Sequence, residues 1–316
     1  MSEKKLISII VPVYNEEKNV PLFYEKIKPI LEALSYDWEL LFVNDGSRDK
    51  SIVELEKLEK ADARVRVIDF SRNFGKEVAV TAGINFAKGD ACIILDADLQ
   101  HPIEKIPEFI AKWEKGVEVV VGVREKNKGE GWVKKIGSYL FYKLINRISE
   151  MEIITRATDY RLLDRVVIDE FNRLTEKNRM TRALIDWLGF RREYIYFEAN
   201  ERIHGVPAYN FWKLVKLAFN SVVSFSLVPL KLAGYLGMFI TLFSGTAGLY
   251  ILLGKYIFHT HFASTFSDAE NLAIMIVFLV GIILVSIGLL ALYIANIHIE
   301  VANRPLYIVR KTKKEN

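Results

Sequence analysis

Two aspartates, Asp96 and Asp98, stand two residues apart directly after an apolar run that ends at Leu95. Such a run is typical of a buried parallel strand, which would carry the carboxylates to the edge of a sheet. In a strand, residues i and i+2 point to the same side, so both carboxylates are expected to converge on one cation. Hard oxygen ligands suit Mg²⁺ or Mn²⁺, ions that commonly also hold substrate phosphates. The spacing therefore predicts a metal-bound phosphate site.

Alternating strand and helix patterns surround this pair. Strands are predicted over 6–13, 38–44, 65–70, 91–96 and 117–121, and helices over 18–34, 49–60 and 75–87. The alternation predicts an α/β fold with a mainly parallel sheet. Ligands of such sheets bind beyond the carboxyl ends of the strands. Polar residues collect at four of those ends, in 14–16, 45–47, 71–73 and 96–98.

Composition points to a membrane rather than to nucleic acid. The 316 residues are 51 % hydrophobic with a net charge of +4, and Lys and Arg cluster at 124–147, 202–216 and 304–314. Beside a strongly apolar C-terminal part, an anionic membrane surface is the better partner for these clusters. The single cysteine, Cys92, is predicted to be a core residue, which excludes a disulfide framework. The N-terminus lacks the apolar stretch of a signal peptide.

Two stretches without Asp, Glu, Lys or Arg, 232–254 and 271–299, each exceed the ~20 apolar residues that cross a bilayer core. Their small residues suit close helix packing and are consistent with a homo-oligomer. A helix over 209–217 carries Trp and Lys and is expected to lie in the membrane interface; an ordinary surface helix is the alternative. Basic outer flanks predict that the large domain and both termini are cytoplasmic, by the positive-inside rule.

Four motifs, taken in order, resemble the inverting glycosyltransferases of family 2, which have the GT-A fold. They are Val11-Pro12-Val13-Tyr14-Asn15-Glu16-Glu17, Asn44-Asp45-Gly46-Ser47-Arg48-Asp49, Ser71-Arg72-Asn73-Phe74-Gly75-Lys76-Glu77 and Asp96-Ala97-Asp98-Leu99-Gln100-His101-Pro102. The closer resemblance is to the polyprenyl-phosphate glycosyltransferases, which include bactoprenol glucosyltransferases and dolichol-phosphate mannose synthases. Tyr160-Arg161-Leu162-Leu163-Asp164-Arg165 and Arg304-Pro305-Leu306-Tyr307 are also similar to that subfamily.

The resemblance and the apolar stretches together predict four segments. They are a cytoplasmic GT-A domain over 1–205, an interfacial amphipathic helix over 206–228, a two-helix transmembrane hairpin over 229–299 and a basic cytoplasmic tail over 300–316. The protein would then be a multi-pass protein of the inner membrane.

The same resemblance assigns metal and donor contacts. Asp96, Asp98 and Gln100 are the expected metal ligands, while His101 is expected to be a neighbour of the site. Pro12, Tyr14, Glu16 and Asp45 are expected at the nucleotide, with the Tyr14 ring against the base and carboxylates accepting from ribose or base. Lys76 and Arg72 are placed to meet the donor diphosphate, and Arg124 and Arg202 to hold phosphate through their guanidinium groups.

Several of these assignments have a simpler alternative, and for Asp96 and Asp98 it is a pair of aspartates in a solvent loop. Asn15 would cap the following helix, Asp45 would form an Asx turn that caps the next one, and Lys76 would be a solvated helix residue. Arg124 and Arg202 would form ordinary surface ion pairs.

Asp159 is by resemblance the candidate catalytic base, with Arg161 beside it. The acceptor, however, is a phosphate monoester whose second pKa lies near ~6, so it is already largely ionised at neutral pH. Asp159 would then position Arg161, the sugar or the acceptor instead. Thr158 and Tyr160 depart from the Gly-Asp-Phe-Arg of the subfamily. Pro207 and Ala208 replace a hydroxyl residue and a lysine.

The predicted function is the metal-dependent, inverting transfer of one sugar from a nucleotide-sugar to polyprenyl phosphate at the cytoplasmic membrane face. UDP-glucose is the first choice of donor; GDP-mannose and a UDP-N-acetylhexosamine stay open. The differences from the subfamily at 158 and 207–208 leave a second function class open, a catalytically weak scaffold that binds nucleotide-sugar. Hydrolysis of the donor without transfer is an intermediate possibility. Two helices and the lack of a Gln-x-x-Arg-Trp motif disfavour a processive synthase. The lack of Gly-x-Gly-x-x-Gly after the first strand disfavours a dinucleotide-dependent oxidoreductase.

Overall fold

The computed structural model describes residues 4–125, 157–177, 179–198 and 267–311, together with Thr246 and Leu253. The chain divides into two compact units, one formed by 1–146, 151–210 and 303–316 and the other by 147–150 and 211–302. Arg202, Pro207, Ala208 and the predicted interfacial helix lie outside the described residues. The four predicted segment boundaries stay predictions.

The first unit holds eight strands and six helices among its described residues. The strands are β1 Leu6–Val13, β2 Asp37–Asn44, β3 Val65–Phe70, β4 Ala91–Ile94, β5 Val119–Arg124, β6 Ala157–Asp164, β7 Arg192–Phe197 and β8 Val309–Lys311. The helices are α1 Asn19–Glu32, α2 Ser51–Ala61, α3 Lys76–Phe86, α4 Ile106–Glu114, α5 Arg165–Arg173 and α6 Thr181–Trp187, and a 3₁₀ turn, Ile103–Lys105, precedes α4.

The eight strands form one sheet in the order β7-β5-β6-β4-β1-β2-β3-β8. The pairs β1–β2, β1–β4, β2–β3 and β5–β7 are parallel, while β6 runs antiparallel to β4 and β5, and β8 antiparallel to β3. The prediction of an α/β fold with a mainly parallel sheet is thus confirmed. The carboxyl ends of β1 to β5 meet at one edge, and the amino end of β6 joins them there.

The core explains why the sequence forms these layers. Strand β1 is apolar on both faces because helices cover both faces of a parallel sheet, and Ile7, Ile9 and Ile10 are fully buried. Helix α1 buries residues three or four positions apart, such as Val20, Phe23 and Ile27, which gives it one core-facing stripe.

The core prediction for Cys92 is confirmed, because the residue is fully buried in β4. Burial raises the pKa of its thiol to about 12. The group is therefore a thiol at neutral pH.

In the second unit, residues 268–301 form a single helix of 34 residues, α7 Asp268–Val301. Among the described residues, no helix combines the length and the apolar character that a membrane span requires. The predicted span 232–254 lies outside the described residues except for Thr246 and Leu253. The transmembrane hairpin stays a prediction.

Candidate active site

Asp96 and Asp98 lie in the turn after β4, because that strand ends at Ile94, two residues earlier than predicted. The prediction that strand alternation directs both carboxylates to the same side is therefore wrong. The turn is fixed by its own backbone: Leu99 has φ +59°, and the Gln100 N–H donates to Asp98 Oδ1 at 3.1 Å. The Asp98 residue is 8 % exposed, whereas the Asp96 side chain is 24 % exposed.

Lys76 joins this turn to a second strand. Its Nζ lies 2.6 Å from Asp96 Oδ1 and 2.8 Å from Asp159 Oδ2. The three residues come from the first turn of α3, the β4 turn and β6, and all were predicted as site residues. The alternative in which Lys76 is merely a solvated helix residue does not hold, since two carboxylates bracket its ammonium.

Arg182 in α6 completes the cluster, and the sequence analysis did not identify it. Its Nε lies 2.9 Å from Asp159 Oδ1, as an ion pair rather than an aligned hydrogen bond, and its Nη1 donates to the Ala157 carbonyl at 3.2 Å. The contact depends on tertiary folding, since Arg182 stands in no recognisable motif. The cluster is therefore two carboxylates alternating with two cations.

This arrangement sets the charge of Asp159. Burial by itself would raise the pKa of its carboxyl, but Lys76 and then Arg182 lower that pKa to about 2. Burial would likewise lower the pKa of Lys76, while Asp96 and Asp159 hold it above its ordinary value. Both groups are therefore fully charged at neutral pH, and Asp159 is a poor proton acceptor in this state.

His101 packs against the turn that follows β4, residues 95–100, here called the acidic turn. Its Nδ1 accepts the Asp96 N–H at 3.2 Å, and its ring stacks on Tyr160 with centroids 5.2 Å apart. Burial lowers the pKa of the imidazole, although Asp96 opposes this. A neutral ring whose Nδ1 accepts carries its proton on Nε2, so His101 positions the Asp96 backbone, in keeping with its predicted place beside the site.

Arg161 is paired with Asp186 of α6. The residue is 1 % exposed; its Nη1 lies 2.8 Å from Asp186 Oδ1, and its Nε donates to the Thr158 carbonyl at 3.3 Å. The carboxylate that pairs with Arg161 is therefore that of Asp186, while Asp159 pairs with Lys76 and Arg182. The catalytic assignment of Arg161 stays a prediction.

Thr158 and Tyr160, the two residues of β6 that differ from the subfamily motif, each form contacts in the fold. The Thr158 hydroxyl donates to the Gly122 carbonyl at 2.8 Å. The Tyr160 ring stacks on Phe109 with centroids 4.2 Å apart, and its hydroxyl donates to the Pro102 carbonyl at 3.2 Å. These replacements brace the strand and the acidic turn rather than removing a support.

Asp45 anchors the loop 71–75, which leads into α3. It is 2 % exposed, and its carboxylate accepts the N–H groups of Phe74 at 2.6 Å and Gly75 at 3.0 Å. Burial raises the pKa of Asp45, and the two amides only partly offset this. Asp45 therefore does not cap α2, the alternative considered above. Gly46 has φ +61°, and a Cβ there would meet the Arg72 backbone at 2.3 Å, so the close approach needs glycine.

The end of β1 presents a partly exposed aromatic ring. Tyr14 is 42 % exposed, which leaves its ring accessible to a base. Asn15 does not cap α1; its Oδ1 accepts the Arg48 N–H at 2.8 Å. The Glu16 carboxylate accepts from the Asn19 side chain.

Three further predicted residues occupy different settings. Pro12 lies in β1 opposite Val43. The Arg72 guanidinium lies over the Phe74 ring, 4.7 Å from its centroid. Arg124 ends β5, and its buried Nε has no hydrogen-bond partner within the described part of the chain.

The residues of the β4 turn suit a divalent cation. Across the described ranges, no three His, Cys, Asp or Glu side chains converge as a metal site. The predicted set of Asp96, Asp98 and Gln100 offers hard oxygen donors but too few for a complete protein cage. Such a set fits Mg²⁺ or Mn²⁺, ions that commonly complete their shell with water and substrate phosphate oxygens.

Two cavities bear on where a substrate would bind. One of about 10 Å³, room for a single water, is bordered by Lys76, Asp159 and Arg182. This volume is too small for a sugar phosphate, and the Lys76 and Arg182 side chains beside it are 45 % and 38 % exposed. A larger groove of about 350 Å³ is bordered by Glu56, Glu59, Lys60 and Asp69 and by none of the predicted site residues. Its excess of acidic side chains disfavours a diphosphate.

Comparisons with known proteins place these motifs in context. The model of the family "Glycosyl transferase family 2" matches residues 8–171. The chain is 42 % identical to the uncharacterized glycosyltransferase YkcC of Bacillus subtilis, over 99 % of this chain and 95 % of the relative. It is 37 % identical to the SfII prophage-derived bactoprenol glucosyl transferase of Shigella flexneri, over 98 % and 99 %.

Among solved structures, glucosyl-3-phosphoglycerate synthase from Mycobacterium tuberculosis, in complex with Mn²⁺, UDP-glucose and phosphoglyceric acid, aligns with a TM-score of 0.46 at 18 % identity. The alignment covers 69 % of this chain and 78 % of that chain.

Proposed function

The chain belongs to glycosyl transferase family 2, among its polyprenyl-phosphate glycosyltransferases, and from that membership we propose that it transfers one glucosyl group from UDP-glucose to undecaprenyl phosphate. The observation that carries the proposal is Lys76, whose ammonium joins Asp96 of the acidic turn to Asp159 at the edge where the parallel strands end. Ligands of open α/β sheets bind at that edge.

The choice of donor and acceptor is supported by the relatives named bactoprenol glucosyl transferase, which are 35–37 % identical over nearly the whole chain. We assign the nucleotide to Tyr14, Glu16 and Asp45. The diphosphate would lie towards Lys76 and Arg124, with Arg202 as a further phosphate contact. GDP-mannose and a UDP-N-acetylhexosamine are the alternative donors.

Asp96, Asp98 and Gln100 would hold the cation, with Asp98 as the principal ligand. When bound, Mg²⁺ or Mn²⁺ would neutralise charge on the departing nucleoside diphosphate. The pairing of Lys76 with Asp96 keeps one further positive charge next to the same turn.

The reaction would be a single in-line displacement. A phosphate oxygen of the lipid forms a bond to C1 of the sugar as the bond from C1 to the diphosphate oxygen breaks, so an α-linked donor gives a β-linked product. The acceptor is already ionised, since the second pKa of a phosphate monoester is about 6. Asp159, whose pKa is about 2, therefore serves as the anion that holds Lys76 and Arg182 in place.

The location of the reaction follows from the acceptor. A polyprenyl phosphate stays in the bilayer, so the acceptor must reach the catalytic domain from a membrane surface. We assign the domain to the cytoplasmic face of the inner membrane, with the apolar stretches 232–254 and 271–299 as the two spans of a multi-pass protein.

The test uses the full chain in detergent with Mn²⁺, undecaprenyl phosphate and a panel of nucleotide-sugars, and product is detected by mass spectrometry. We expect glucosyl undecaprenyl phosphate to form from UDP-glucose and from no other donor in the panel. Asp98→Asn keeps an acceptor for the Gln100 N–H but removes the charge, and should abolish product formation. Glu108→Gln, which removes one exposed negative charge of an ion pair with Lys105, is the matched control.

Three other outcomes would change the proposal. Product from a different donor would replace the sugar and keep the reaction class. Release of glucose without glycolipid would indicate donor hydrolysis. Donor binding with no turnover, unaffected by Mn²⁺ and by Asp98→Asn, would favour the scaffold hypothesis.

A further inference from the structure

The C-terminal segment returns to the catalytic sheet and covers its edge. Residues 304–311, here called the C-terminal strap, include β8, which pairs antiparallel with β3 through Asp69–Lys311 and Phe70–Val309. Strand β3 would otherwise present unpaired N–H and C=O groups at the sheet edge. Covering an edge needs only backbone pairing, yet the strap also places specific side chains there.

Side chains of the strap contact the end of β3 and the residue that follows it. The Tyr307 ring stacks on Phe70, with centroids 5.1 Å apart and planes inclined by 14°. Arg310 Nη2 donates to the Ser71 carbonyl at 2.9 Å, and Ser71 donates its N–H to the Ile308 carbonyl at 2.9 Å. The Tyr307 hydroxyl donates to Asn85 of α3 at 3.2 Å.

The contacts continue from β3 into the loop 71–75. Phe70 meets Phe74 edge to face with centroids 5.6 Å apart. The Phe74 and Gly75 N–H groups are the ones that donate to Asp45, and Lys76 follows Gly75 directly. Tyr307 thus packs on the strand that leads directly into loop 71–75. This loop binds Asp45 and ends at Lys76, the first residue of α3.

We propose that Tyr307 and Arg310 are positioning residues of the donor site. They hold loop 71–75 in the conformation in which its amides bind Asp45 and in which Lys76, at the start of α3, faces the nucleoside diphosphate. The inference rests on the proposed function, because it assigns the donor to this loop. Neither residue touches the reacting atoms, so their loss affects donor binding rather than the displacement step.

The first experiment measures kcat and the KM for UDP-glucose with the full chain in detergent. In Tyr307→Ala we expect KM to rise about 10-fold, the upper range for a lost aromatic stack, with kcat changed less than about two-fold. Tyr307→Phe keeps the ring and should restore a wild-type KM. Tyr36→Ala is the matched control: that ring also packs on an aromatic, Trp113 at 5.8 Å, and its hydroxyl bonds to Glu114, away from loop 71–75.

A KM in Tyr307→Ala no higher than in Tyr36→Ala would overturn the proposal. A fall in kcat alone would also overturn it, because the strap would then act on chemistry or overall stability. Failure of Tyr307→Phe to restore KM would exclude the stacked ring as the cause.

A second measurement is independent of substrate. Hydrogen exchange at the Phe74 and Gly75 amides, without donor, should accelerate in Tyr307→Ala and Arg310→Met but stay at the wild-type rate in Tyr36→Ala. Unchanged exchange in the strap variants would overturn the inference. If the wild type fails to bind UDP-glucose while exchange responds as expected, the proposed donor is wrong and the contact between strap and loop stands.

Discussion

Asp45 and Asp159 are both enclosed carboxylates at the same edge of one sheet, yet the protein shifts their pKa values in opposite directions. Backbone amides of Phe74 and Gly75 surround Asp45, and burial raises its pKa. Lys76 and Arg182 flank Asp159 and lower its pKa to about 2. Amide dipoles only partly replace water around a buried charge, whereas two full cations more than replace it.

The contrast separates two tasks. Around Asp45 the carboxylate organises backbone, because it holds loop 71–75 against the end of β2. Around Asp159 the carboxylate organises charge, because it holds two cations at the place proposed for the phosphates. A variant in the first region should therefore act through loop geometry, and a variant in the second through electrostatics.

The largest effect is expected from Lys76→Met, which removes the cation shared by Asp96 and Asp159. The two carboxylates then lose their common partner, and the phosphates lose a positive group. We expect kcat/KM to fall about 100-fold, as when one preorganised charge-stabilising donor is removed. Lys57→Met, which breaks an exposed pair with Glu54, is the control for loss of one positive charge. A fall of less than about three-fold would show that the cluster is structural only.

The pH dependence of the unfolding free energy should change with opposite sign when Asp159 and Asp45 are replaced. Because the folded-state pKa of Asp159 lies below its ordinary value of 3.8, its stabilisation is complete above about pH 4 and is lost as pH falls towards 2. The full effect is about 2 kcal/mol, of which about 1 kcal/mol is lost by pH 3. In Asp159→Asn the loss of unfolding free energy between pH 7 and pH 3 should therefore shrink by about that amount.

Asp45→Asn should change the same titration with the opposite sign. The raised pKa of Asp45 means that the folded state takes up a proton before the unfolded state as pH falls, which favours folding. Removing the group should make the acid loss of stability steeper. Denaturant unfolding of the full chain in detergent, followed by tryptophan fluorescence from pH 7 to pH 3, measures both variants. A shift of the same sign in both would refute the comparison.

A smaller effect is expected at Arg182, which we propose contacts the phosphate of the lipid acceptor. Arg182→Gln should raise the KM for polyprenyl phosphate about 10-fold, the value of one charge-assisted contact, with the KM for UDP-glucose nearly unchanged. Arg182→Lys keeps the charge and should recover part of the loss. Arg173→Gln, which breaks an exposed pair with Glu170, is the control. An equal rise in both KM values would move Arg182 to the donor side.

Much of the first unit was predictable because its signals are local. Continuous apolar runs bounded by turn residues located β1, β2 and β3 within one residue of their observed ends. The rule that ligands bind beyond the carboxyl ends of strands located Asp96 at this edge, whereas Lys76 and Asp159 were assigned by the family resemblance. The i, i+2 alternation expected of Asp96 and Asp98 failed, because β4 ends at Ile94 and a turn places both aspartates.

What the sequence did not reveal depends on contacts between distant segments. Strand β6 is half polar along its sequence because it carries Asp159 and a buried Arg161, whose partner Asp186 lies 25 residues further on. Strand β8 has three residues, too few for a pattern, and exists because the β3 edge is open to it. Arg182 has no motif at all, so its pairing with Asp159 emerges only in the folded chain.

The smallest change is expected from Tyr160→Phe, which alters the residue next to Asp159 without changing any charge. Tyr160 follows Asp159 in β6, and its hydroxyl donates to the Pro102 carbonyl at 3.2 Å beneath the acidic turn. Phenylalanine, the usual residue of the subfamily, keeps the stack on Phe109 and removes only this bond. We expect a loss of about 1 kcal/mol in unfolding free energy and a change in kcat/KM below about two-fold, because the charges around Asp159 are untouched. A ten-fold loss of activity with unchanged stability would mean that the position of the acidic turn, and not the charge balance, limits catalysis.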